Sequence, residues 1–98
     1  MTHRLKLYIT GRTHSSQRAV ENLRQLIDQQ VAGAYEVTIV DVLESPQEAE
    51  SEKILATPTL IRESPPPTRR ILGDLSDTQK VMLGLGLNST NSKKVNQP

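Results

Sequence analysis

The sequence contains no cysteine, tryptophan or phenylalanine, and its only aromatic residues are Tyr8 and Tyr35. Without a thiol there is no disulfide, no thiolate nucleophile and no cysteine-held metal. His3 and His14 come without a spaced pair of carboxylates and make a poor metal site, so neither a metal nor another cofactor is expected. Charge of one sign is also lacking. Twelve basic and eleven acidic residues leave a net charge of +1, which gives no argument for nucleic acid or an anionic membrane as partner, and neither is expected. No apolar run is long enough to span a bilayer, and no signal segment precedes the first strand pattern, so the cytoplasm is the expected compartment. With so few aromatics and 35% hydrophobic residues, the 98-residue chain must build one core from Leu, Ile and Val. Such a core is marginal, and self-association or alternative packings are expected of it.

What is present reads as an α/β chain. Residues 4–10 alternate, with Leu5, Leu7 and Ile9 on one face, and predict a strand, whose leading position suggests that it lies inside the sheet. After the turn Gly11-Arg12-Thr13-His14, Ser15 or Ser16 is placed to cap a helix whose apolar face is Ala19, Val20, Leu23, Leu26 and Ile27, with Gly33 as its stop. Residues 36–43 are β-branched and apolar on both faces, as in a strand covered on both sides. Ser45-Pro46-Gln47-Glu48 has the form of a capping box with proline at the first helical position, and predicts a short acidic helix to about Lys53. Short strands are predicted at residues 59–61 and 69–72, joined by the stiff Ser64-Pro65-Pro66-Pro67 connection. Ser76-Asp77-Thr78-Gln79 is a second box, opening a last helix. Residues 88–98 are polar and unpatterned and are expected to be a disordered tail, beside a single domain at 1–87.

The resulting order, strand–helix–strand–helix–strand–strand–helix, is the thioredoxin-like arrangement. Its last element carries two signals. Val81, Leu83, Leu85 and Leu87 have the period of a strand, whereas the cap before them favours a helix, which Gly84 and Gly86 weaken by about 1 kcal/mol each relative to alanine. Alanine at either glycine is therefore expected to favour the helical form.

In thioredoxin-like proteins the redox cysteines follow the first strand; here the place is held by Gly11 to Ser16. Disulfide exchange is excluded, and use of a Ser hydroxyl on glutathione-type substrates lacks a second domain to bind them. Glu48, Glu50 and Glu52 read as a solvated acidic face, and Asp74 and Asp77 as turn and helix-start residues. Thr57-Pro58 stands at a strand entry. It fits either a cis proline of the thioredoxin type or a plain trans proline whose missing N–H does no harm.

The runs LKLYITG (5–11), TIVDVL (38–43) with SPQEAE (45–50), KILATPTL (53–60), SPPPTRRILGDLSD (64–77) and KVMLGLGL (80–87) resemble the KaiB family of circadian-clock proteins. The resemblance implies a protein without enzymatic activity that binds the ring of a KaiC-like ATPase, with KaiA or a clock histidine kinase as further partners. It implies a metamorphic chain. A resting βαββααβ fold, usually a homo-oligomer (dimer or tetramer), would exchange with a monomeric thioredoxin-like βαβαββα fold that binds the ring. Carried over by position, Lys53, Arg18, Arg69, Gly84 and Gly86 match residues at or near the ATPase-binding surface, and Pro58, Pro65, Pro66 and Pro67 match the prolines of the switch. The chain departs from clock-type members at Gly86, where they commonly have aspartate, at Ser89, where they have tyrosine, and at Glu36 and Thr38. The alternative reading is a stress-linked KaiB homologue acting as a chaperone-like holdase through Leu83, Leu85 and Leu87.

Overall fold

The structure, a computed structural model, describes residues 2–30 and 34–86. Gly33, Leu87 and the 88–98 segment, for which a helix stop, an alternating leucine and a disordered tail were expected, lie outside the described residues. Seven elements follow in the expected order: β1 (Thr2–Ile9), α1 (His14–Gln30), β2 (Ala34–Asp41), α2 (Pro46–Ser51), β3 (Thr59–Ser64), β4 (Arg69–Leu72) and α3 (Thr78–Leu85). They form one sheet of order β2-β1-β3-β4. β1 runs parallel to β2 and antiparallel to β3, and β4 closes a hairpin on β3. β1 is interior, as its leading position suggests.

Period-two geometry sorts the sheet into two faces. Leu5, Leu7, Leu60 and Ile71 point to one side, where Ala19, Leu23 and Leu26 of α1 and Leu75, Val81 and Leu85 of α3 bury them. Tyr8, Val40 and Ile61 point to the other, with Val42 and Ile54 packed against them. α2 lies on this second side, since Glu48 reaches Lys6 and Tyr8 there.

Four expectations are corrected. The apolar run of residues 36–43 is not covered on both sides: β2 is an edge strand, and Val37 and Ile39 are 39% and 47% exposed. The reason is that the core facing α1 and α3 is built mainly on β1, β3 and β4. α1 is capped by neither Ser15 nor Ser16. Thr13 does it, its hydroxyl accepting from the Ser16 N–H at 3.3 Å and its carbonyl from the Gln17 N–H at 3.0 Å. Ser45 occupies the N-cap of α2 without a side-chain bond, the helix ends at Ser51, and Glu48 is drawn off to the sheet. α3 is capped by Asp77, which accepts from the Lys80 N–H at 3.1 Å, while Ser76 donates its own N–H to Asp74.

Of the two signals in the last element, the helix is the one observed. Gly86 is its left-handed C-cap (φ 77°, ψ 23°), with its N–H aimed at the carbonyls of Met82 and Leu83. This left-handed geometry reverses the expectation that alanine at Gly86 would favour the helix, because position 86 ends the helix in a conformation suited to glycine. The bonds before Pro58, Pro65 and Pro67 are cis.

Candidate partner-binding surface

The turn after β1, where a thioredoxin would hold its cysteines, is closed by hydroxyl bonds. Ser16 Oγ accepts from the Thr10 N–H at 3.0 Å and from the Thr13 hydroxyl at 2.7 Å, and Ser16 is buried. The Thr10 and Thr57 hydroxyls bond each other, and Asp41 accepts from the N–H groups of Gly11 and Leu43. These groups hold the loop in shape, and none is presented as a nucleophile with a base beside it. Among the described residues there is no cluster of three or more His, Asp or Glu side chains able to hold a metal, and no helix is long and apolar enough to cross a membrane.

The outer edge of β4 gathers more of the singled-out residues. On the α2 side of the sheet, Arg70 reaches the end of α2, donating Nη1 to the Lys53 carbonyl at 3.5 Å and Nη2 to the Glu52 carbonyl, with the Glu52 carboxylate 3.8 Å away. Lys53 itself is exposed and left-handed (φ 57°). On the α3 side, exposed Arg69 stands beside Gly86: a Cβ added at Gly86 would lie 3.6 Å from Arg69 Nε and 3.4 Å from Arg62 Nη1. Arg62 is only 6% exposed and was missed by the sequence reading. It donates from Nη1 to the Leu85 carbonyl and from Nη2 to the Pro67 carbonyl, tying β3 to the proline connection and to the end of α3.

The remaining two residues lie elsewhere. Arg18 is on α1, paired with Asp74 at 3.2 Å in the loop before α3, where Asn22 also donates to the Asp74 carbonyl. Gly84 faces inward, since its added Cβ would lie 2.7 Å from Ile71 Cγ1. Its smallness is used by the packing of α3 on β4.

Electrostatics reinforce the frame beneath this edge. Glu48 is not part of a solvated face: it accepts from Lys6 Nζ at 2.9 Å and from the Tyr8 hydroxyl at 3.1 Å. Those bonds, from Lys6 first and Tyr8 second, hold its carboxyl below the usual range. The Lys6 ammonium is raised, chiefly by the same bond, with Glu63 3.4 Å away adding to it. Burial, and then the bond to Glu48, push the Tyr8 phenol up to about 12. Hydrogen bonding from Ser76 depresses Asp74, and Arg18 adds to the effect.

Comparison with known proteins places this geometry in context. The KaiB domain family model matches residues 6–87. The chain is 54% identical over 86 residues to the circadian clock oscillator protein KaiB of Prochlorococcus marinus (strain NATL2A), covering 88% of this chain and 80% of the relative. It is 51% identical over 86 residues to the protein of the same name from Trichodesmium erythraeum (strain IMS101), covering 88% and 83%. Among solved structures, the N-terminal domain of Synechococcus elongatus SasA superposes with a TM-score of 0.73 at 18% identity, over 97% of this chain and 90% of that one. Chloroplastic thioredoxin z gives 0.71 at 19% identity, over 90% and 80%. At such identities the structural likeness speaks for the thioredoxin-like fold alone.

Proposed function

The chain belongs to the KaiB family, and from that premise we propose that it is a non-enzymatic regulatory protein of a circadian or related timing system that binds the ring of a KaiC-type ATPase in the cytoplasm. The observation that carries this reading is the edge of β4, where Lys53, Arg69 and Gly86 border a strand with no neighbour beyond it among the described residues. Free strand edge, exposed cations and a residue without a side chain suit docking onto a protein face. The present arrangement is the ring-binding form, and a resting oligomer with a rearranged C-terminal half exchanges with it. The double periodicity of residues 81–87 supports that part of the reading.

The test is ATP-dependent co-migration with a KaiC-type ring. Wild-type protein is expected to co-migrate, and Arg69→Glu to lose it while keeping the wild-type fold by NMR fingerprint. The holdase reading draws on Leu83, 59% exposed, and needs a minor state to expose Leu85, which is buried here; Leu55, 96% exposed, adds apolar surface. It gains if the protein suppresses aggregation of a heat-denatured client and never joins the ring.

A further inference from the structure

Arg62 and Arg69 stand directly opposite each other on β3 and β4. Like charges in that position repel. Arg62 sets its charge against the Leu85 and Pro67 carbonyls, and its buried Nε has no partner. The Arg69 guanidinium has neither ion pair nor hydrogen bond among the described residues. No carboxylate there lies within 4.0 Å of either arginine. The given sequence has no Asp or Glu after Asp77. Both guanidinium groups border the space that a side chain at position 86 would fill, and that residue is glycine.

We propose that Arg62 and Arg69, with Gly86 as the open side between them, form a notch that receives one carboxylate from an acidic side chain of a protein partner. The proposal rests on the reading of the β4 edge as a partner surface and adds what that surface takes. A carboxylate fits because it is planar and offers each guanidinium one oxygen. Arg62 Nη1 already serves Leu85, so the notch is poor in donors for a phosphate dianion. With a net charge of +1 the chain has no long-range field to gather polyanions.

Gly86→Asp and Gly86→Asn add nearly the same volume in the same left-handed backbone and differ in charge; the carbonyl end of α3 works against that charge, so a gain from Asp reports the two arginines. The Asp protein should melt several degrees above the Asn protein at low salt, and most of that gap should vanish near about 0.5 M NaCl, where screening is short-ranged. In the wild type, a Glu-containing peptide should shift the Arg69 Nε–H resonance, its Gln counterpart should not, and Gly86→Asp should abolish the response that Gly86→Asn retains. Equal melting of the two variants, or equal shifts with the Gln peptide, overturns the notch. Inorganic phosphate acting as strongly as the peptide at equal ionic strength overturns the assignment to a protein carboxylate. Wild-type co-migration with the ring, together with indistinguishable Asp and Asn proteins, leaves the partner reading standing and removes the notch. Peptide binding lost in Gly86→Asp, without any co-migration, removes the ring and keeps the notch.

Discussion

Two glycines two residues apart, one inside α3 and one at its C-cap, meet different constraints. Gly86 is left-handed and closes the helix, so Gly86→Ala should lower stability by about 1 kcal/mol. A thermal or urea midpoint unchanged or raised by the substitution would contradict the cap. Gly84 lies inside the helix, where alanine would contribute about 1 kcal/mol of propensity. Its added Cβ, however, would lie 2.7 and 2.8 Å from Ile71 Cγ1 and Cδ1. Overpacking of that kind costs about 1–3 kcal/mol and should win. The check is a double-mutant cycle: Gly84→Ala should cost less in an Ile71→Ala background, and strict additivity would show that the two side chains never compete. Counting glycines in a helix cannot separate these cases, because one depends on a backbone angle and the other on a residue thirteen positions away.

At the scale of elements, α2 shows where local reading stops. Six residues cannot hold a helix alone. Pro46 and the Ser-x-x-Glu pattern announce it correctly, yet the partners of Glu48 are Lys6 and Tyr8, some forty residues earlier, and spacing along the chain carries no trace of them. Alternation in β1 does place Lys6 and Tyr8 on the face opposite Leu5 and Leu7, but not which helix covers that face. Arg62 was missed because the predicted strand stops at residue 61; with β3 running to Ser64, its place two residues after Leu60 puts it on the same buried face. The Glu48 and Asp74 carboxyls are depressed in the fold. Their stabilisation is therefore complete above the ordinary carboxyl range and is lost as pH falls through their lower folded values. Melting temperature followed from neutral pH into acid should fall in that window. Glu48→Gln should lower it at neutral pH and leave a shallower acid decline. An unchanged acid slope would mean that Glu48 does not couple α2 to the sheet.

For the whole molecule, the proposed exchange between a ring-binding fold and a resting oligomer makes the stability of α3 a control on the population that binds. Asp77 offers a clean handle. It caps α3 through the Lys80 N–H, and it sits at the opposite end of the helix from Gly86 and the notch. Asp77→Ala should remove about 1 kcal/mol from the helical arrangement, a change of about fivefold in a two-state ratio. Where the ring-binding fold is the minor state, apparent affinity scales with its population, so association with the ring should slow by about that factor. The resting form has no use for this cap if residues 81–87 are a strand there, so sedimentation should show more oligomer and less monomer. Association rates against ring concentration should also level off at the rate of the conformational step, and Asp77→Ala should lower the approach to that plateau. A mutant that melts earlier yet keeps the wild-type association rate and monomer fraction would show that α3 is not the element being exchanged. The double periodicity of residues 81–87 would then reflect only the packing of Val81 and Leu85 on the sheet.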